Sequence, residues 1–215
     1  MTVIMASTFK TGVALAADTL LHDARTMNRV MNAPKTLAVG KKVAIAQAGR
    51  FSGTERVWEL LKAMDGSAAT PAQVADIIRS EGGAIYASMA EEDPKPQLRY
   101  IVAGIEDDGV QAFHVLQFDV DDFEVYRGAG NIIAIGAMPH AKDIATQAVI
   151  DSLKPFSNYA KLDEWVQRTV RAESEASPAT VGFPATLVVI TPDQLIEAKV
   201  EAGAAHDPRL VGFFE

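Results

Sequence analysis

A chain of 215 residues with 48% hydrophobic and 22% charged residues has the material for one large domain with an ordinary globular core. It contains no cysteine, which excludes disulfides, thiolate metal sites and a cysteine nucleophile. Its net charge of −8 argues against nucleic acid as a partner, because phosphate would be repelled.

The opening residues MTVIMASTFKTG lack a basic stretch followed by an apolar one, so no secretory signal is read there. No apolar run approaches the ~20 residues needed to span a bilayer. The expectation is a cytoplasmic protein with no membrane partner. The first 50 residues read as β structure. Val3-Ile4-Met5-Ala6 and Val13-Ala14-Leu15-Ala16-Ala17 flank the hairpin signal Lys10-Thr11-Gly12, and Leu37-Ala38-Val39 and Val43-Ala44-Ile45-Ala46 flank Gly40-Lys41-Lys42. These short Ala/Val/Ile runs suit strands buried on both faces.

Helices follow. Ser52-Gly53-Thr54-Glu55 has capping character before Val57, Trp58, Leu61 and Met64 at helical spacing. Thr70-Pro71 opens a second helix with Val74, Ile77, Ile78, Ile85 and Met89 on its stripe, and Pro71 suits the first helical position. Gly82-Gly83 is expected to kink or interrupt it. Strands return at 98–105, 110–117 and 123–126, and 132–136 reads as a strand running into a helix over 139–153. A last helix covers 161–176, followed by strands at 186–190 and 195–200. The tail from 202 to 215 carries no pattern.

The order is strands, two helices, strands, two helices, strands. Sheets apolar on one face need cover, and two packed sheets with a helix pair on each outer side satisfy every element. The expected fold is therefore α+β, a four-layer αββα sandwich, in a single domain over 1–215 with an extra tail. Periodicity alone leaves other α+β arrangements open.

Three patterns at the start carry chemistry. Thr2 begins the first strand and GVALAADT (12–19) follows it. Lys35 precedes the next strand, and AIAQAG (44–49) ends the one after. This resembles proteasome β-subunits and their bacterial HslV-type relatives, N-terminal-nucleophile hydrolases, and more specifically the betaproteobacterial proteasome homologue. IAIGAMPHA (133–141) is similar to the turn that opens a helix in HslV.

The resemblance implies a threonine peptidase whose nucleophile is the Thr2 hydroxyl once Met1 is removed. A hydroxyl needs a base. A free α-amine titrating near ~7.7–8.0 supplies one on the same residue. Lys35 would lower the amine's proton affinity, Asp18 would hold Lys35, and the Gly49 N–H would face the oxyanion. The late acidic and hydroxyl positions of the family fall on Glu173 and Ser177. Gln47, two before Gly49, would floor the substrate pocket, with Leu21, Ala33 and Phe51 around it and His22 along the cleft. The chain departs from the family at Ala137, where a Ser is usual, and is longer over 91–125 and after 200.

Taken singly, Thr2, Asp18 and Lys35 read as a surface residue, a turn residue and a solvated charge. Their joint spacing makes the case. His114 reads as a strand residue, and His140 and His206 lack partners at metal-ligand spacing. DVDD (119–122) lacks the glycine and glutamate of a calcium loop and reads as solvated. No metal and no cofactor is expected. The implied partners are a peptide or polypeptide substrate and copies of the chain itself, in two stacked rings of seven; an unfoldase partner is left open. The alternatives are a non-catalytic ring-forming module and a small-molecule amidase of the same superfamily.

Overall fold

A computed structural model describes residues 2–22, 26, 28–50, 55–136, 139–152, 161–205, 207 and 210, with backbone alone at 149–152 and 161. Met1, Phe51, the 52–54 cap, Ala137 and His206 lie outside the described residues.

The first hairpin is β1 (Ile4–Phe9) with β2 (Gly12–Asp18), as the Ala/Val/Ile runs predict. After it come β3 (Leu20–His22) and β4 (Arg29–Asn32), a two-stranded ribbon. The sequence reading has no such ribbon. Its strands are three and four residues long and β4 is exposed throughout, so no apolar alternation marks them. Next are β5 (Thr36–Val39), β6 (Val43–Gly49), α1 (Glu55–Ala63) and α2 (Pro71–Glu92). They are followed by β7 (Leu98–Ile105), β8 (Gln111–Gln117), β9 (Asp122–Arg127) and β10 (Ile132–Ile135). The chain continues with α3 (Ala141–Ser152), α4 (Lys161–Ala176), β11 (Ala185–Ile190) and β12 (Leu195–Val200).

One sheet runs β10-β1-β2-β11-β12 and the other β5-β6-β7-β8-β9, every pair antiparallel. Because side chains alternate across a strand, β1 and β2 feed two apolar clusters. Ile4, Ala6, Leu15 and Ala17 meet Ala44, Ala46, Ile101 and Phe113 of the other sheet. Met5, Ala14 and Ala16 meet Leu162, Trp165 and Val166 of α4 instead. A third cluster packs Ile45 and Val102 on Val57, Leu61, Val74 and Ile78 of the first helix pair. The Trp165 indole N–H donates to the Ala145 carbonyl at 3.2 Å, tying α4 to α3.

Thr70 and Pro71 start α2 as predicted. The Thr70 hydroxyl accepts from the Gln73 N–H, and the Gln73 side chain accepts from the Thr70 N–H, both at 3.2 Å. The expected interruption is not there: α2 is continuous through Gly82-Gly83. Gly82 is used for close approach, since a Cβ there would stand 2.3 Å from the Phe118 ring, whereas at Gly83 it would meet nothing within 4 Å. Gly83→Ala is therefore expected to raise stability by about 0.5–1 kcal/mol. Gly82→Ala should lower it by about 1–3 kcal/mol through overpacking, despite the same gain in helix propensity. Paired urea titrations check both signs.

The DVDD turn is also less solvated than predicted. The Arg99 guanidinium forks onto Asp119, Nε donating to Oδ1 at 2.8 Å and Nη2 to Oδ2 at 2.5 Å, and Asp122 accepts from the Gln117 amide at 2.8 Å. His114 is a buried residue of β8, with Nε2 3.0 Å from Glu106 Oε1.

Candidate active site

The antiparallel pairing of β1 and β2 sets Val3 beside Asp18: the Asp18 N–H donates to the Val3 carbonyl at 3.1 Å, and Asp18 Oδ1 accepts the Val3 N–H at 3.0 Å. Asp18 Oδ2 accepts from the Leu20 N–H at 3.1 Å. Both carboxylate oxygens lie 3.0 Å from Lys35 Nζ, which donates to Thr2 Oγ1 at 2.6 Å. Lys35 comes just ahead of β5, and its carbonyl accepts the Gln47 N–H at 2.9 Å, so β6 fixes the backbone from which the ammonium reaches Thr2.

Thr2, Asp18 and Lys35 are all buried. Burial is the largest influence on the two charged groups. It pushes the Asp18 carboxyl above the usual carboxylate range and the Lys35 ammonium below the usual lysine range, while their attraction and hydrogen bonds oppose both shifts. A cation that donates to the Thr2 hydroxyl stabilises the negative charge that Oγ1 takes on as it loses its proton.

Gly49 ends β6 at φ +110°, and a Cβ there would stand 2.0 Å from the Gln97 carbonyl, so only glycine fits. Glu173 is fully buried on α4 with its carboxylate against Gly136; a Cβ on Gly136 would stand 2.6 Å from Oε2. Gly136 follows Ile135, the register partner of Ile4, so Glu173 stands at the same end of β1 as Thr2. Ser177 comes directly after α4. Its N–H donates to the Glu173 carbonyl at 2.8 Å, and its hydroxyl lies 2.6 Å from that of Thr180.

Leu21 and His22 are half-buried on β3, and Ala33 donates its N–H to the Thr19 carbonyl at 2.8 Å. Gln47 is buried. A cleft of about 590 Å³ touches Thr19, Asn32, Ala33 and Pro184 on the Asp18–Lys35 side. A second, of about 410 Å³, touches Gln97, Arg99, Gln117, Gly136 and Lys142 on the Gly49–Gly136 side. Among the described residues no group of three or more His, Asp or Glu side chains is placed to hold a metal, and no helix is long and apolar enough to cross a membrane.

Sequence reasoning missed Tyr100, the register partner of Gln47, and Thr19, whose hydroxyl donates to the Pro184 carbonyl at 2.7 Å. The only signal for Tyr100 was a hydroxyl-bearing aromatic inside the apolar run LRYIVAGI.

Neither a family model nor a curated protein matches the chain. Among solved structures it is similar to Anbu from Hyphomicrobium sp. strain MC1 and to a (Gly-1) mutant of that protein. Each is 16% identical with a TM-score of 0.65, over 94% of this chain and 88% of theirs. It is similar also to Anbu from Pseudomonas aeruginosa, solved as a helical assembly, at 16% identity and a TM-score of 0.67 over the same shares. The fold is that of Anbu. Anbu proteins are proteasome-like homologues with the N-terminal-nucleophile hydrolase fold. The likeness to Anbu thus bears out the proteasome-like expectation at the level of fold, and it does not single out the betaproteobacterial homologue.

Proposed function

We propose that this protein is a threonine peptidase that uses the Thr2 hydroxyl as nucleophile after Met1 is removed. The observation that carries the reading is the buried contact of Lys35 Nζ with Thr2 Oγ1 at 2.6 Å, with Asp18 holding the same ammonium at 3.0 Å. With the α-amine free, that amine takes the Oγ proton, directly or through water, and Oγ adds to the peptide carbonyl carbon. The Gly49 N–H stabilises the resulting oxyanion. Collapse breaks the C–N bond, and the departing amine leaves with the proton from the α-ammonium. Water, deprotonated by the same amine, then hydrolyses the ester and frees Oγ. Glu173 would orient the amine.

The three apolar clusters support the four-layer αββα arrangement over residues 1–215. A homo-oligomer, two stacked rings of seven in the cytoplasm, remains the proposal for the assembled state. The helical assembly of Pseudomonas aeruginosa Anbu supports association of copies. Light scattering at micromolar concentration is expected to give a mass many times that of one chain, and a monomer would count against it.

The test of the chemistry is a peptide epoxyketone, which reacts with a hydroxyl and an α-amine of one residue. The mature protein should gain one inhibitor mass per chain and Thr2→Ala none. An adduct on both, or on neither, would overturn the reading, the latter in favour of a non-catalytic module.

A further inference from the structure

Three residues stand side by side across neighbouring strands. The Gln47 N–H is bonded to the Lys35 carbonyl at 2.9 Å, and Gln47 is in turn the register partner of Tyr100 on β7. With strands about 5 Å apart, Gln47 lies one strand and Tyr100 two strands from the lysine that holds Thr2 Oγ1. Residues paired across antiparallel strands project to one face, here the face that carries Ile45 and Val102 toward α1 and α2.

Around this pair the face is apolar, with Ile45, Leu98, Val102 and Leu116, and the buried His114 farther along it is met by Glu106 at 3.0 Å. Gln47 is 3% exposed and Tyr100 0%. Gln47 Oε1 and the Tyr100 hydroxyl oxygen are buried without a hydrogen-bond partner among the described residues. Buried polar atoms of native proteins are normally paired, so two unmet ones on a single cross-strand pair mark a place where a polar group belongs. Burial pushes the Tyr100 phenol up, so its O–H is retained as a donor at neutral pH.

We propose that Gln47 and Tyr100 bind a carboxamide, so that the preferred substrate carries glutamine or asparagine immediately before the bond cleaved. The proposal rests on the peptidase reading and adds the substrate class to it. Gln47 Oε1 needs a donor and the Tyr100 O–H needs an acceptor; a carboxamide supplies N–H to the first and C=O to the second. If the Gln47 amide is turned over, its NH₂ donates to the ligand carbonyl and the Tyr100 oxygen accepts the ligand N–H, so the same group fits both settings. An ammonium brings no acceptor for Tyr100. A carboxylate can accept from the Tyr100 O–H and from a turned-over Gln47 amide, but it buries a charge, which the carboxamide does not. An apolar side chain leaves both atoms unmet.

The test uses Thr2→Ala protein, which binds peptides without cutting them, and acetylated tripeptide amides ending in glutamine or in methionine, of nearly equal size. Calorimetry should show the glutamine peptide bound roughly 10–100-fold tighter. Gln47→Met and Tyr100→Phe should each bring that ratio close to one. Tyr100→Phe should melt no lower than its parent, because the hydroxyl it removes has no partner among the described residues.

Equal binding of the two peptides, binding of neither, or a Tyr100→Phe protein that melts clearly lower through loss of a resident partner would each overturn the proposal. In parallel, protein with Thr2 intact is treated with an all-alanine epoxyketone. An adduct without glutamine preference removes this proposal alone. Glutamine preference without an adduct removes the peptidase chemistry and leaves the carboxamide pocket standing.

Discussion

Protein in which Met1 cannot be removed is expected to hydrolyse peptides at least about 10²–10⁴-fold more slowly than mature protein, the range that general-base assistance supplies. With a residue attached, the Thr2 nitrogen is an amide: it has no basic lone pair and cannot take the Oγ proton. Lys35 does not replace it, because its ammonium already donates to Thr2 Oγ1 and is held by Asp18. Thr at the second position has a small side chain, which suits removal of the initiator methionine. The measurement compares mature protein, protein with a blocked N-terminal extension and Thr2→Ala, by peptide hydrolysis and by intact mass after epoxyketone treatment. Only the first should cleave and form the adduct. Equal activity of the extended form would show that Thr2 is not the nucleophile.

Asp18→Ala is expected to lower folding stability by about 3–5 kcal/mol, as for a broken buried ion pair. The substitution leaves the Lys35 ammonium buried without its counter-charge and strips acceptors from the Val3 and Leu20 N–H groups. Lys35→Met removes a charge whose partner keeps two backbone donors, so its effect should be smaller. The double variant Asp18→Asn with Lys35→Met should lose less than the sum of Asp18→Ala and Lys35→Met, because no uncompensated charge remains inside. Urea titrations of the four proteins give the comparison. A loss below about 1 kcal/mol for Asp18→Ala would mean that water reaches the pair.

How much was legible depends on what each segment buries. β1, β2 and β6 were readable because strands packed on both faces must be continuous in apolar residues, and Val13–Ala17 and Val43–Ala46 are. The start of α2 was readable because Thr70, Pro71 and Gln73 act on adjacent backbone groups. The β3–β4 ribbon was not, because exposed β4 leaves no pattern. Gly82-Gly83 misled for a related reason: the glycine penalty is local and visible, while the Phe118 ring that requires Gly82 is thirty-six residues away in sequence. In the site, the Thr2, Asp18 and Lys35 spacing was recognisable through resemblance, and the structure brings the three side chains into contact. Tyr100 had no such signal, since its meaning comes from facing Gln47, and strand register is a tertiary fact. Ser177 was named through the same resemblance, and the structure sets its N–H on the Glu173 carbonyl and its hydroxyl beside that of Thr180.

The clasp between Val3 and Asp18 has a practical bearing on how this protein must be handled. Two hydrogen bonds from one residue, one to and one from the backbone of Val3, hold the start of β1 in place whatever the chemical state of the atom before Thr2. Processing would then alter a single nitrogen and leave the surrounding contour as it was. A batch that is well folded by circular dichroism, melts sharply and elutes as one species can still be chemically silent. Mass spectrometry of the first residue, rather than any probe of shape, is the assay that grades a preparation.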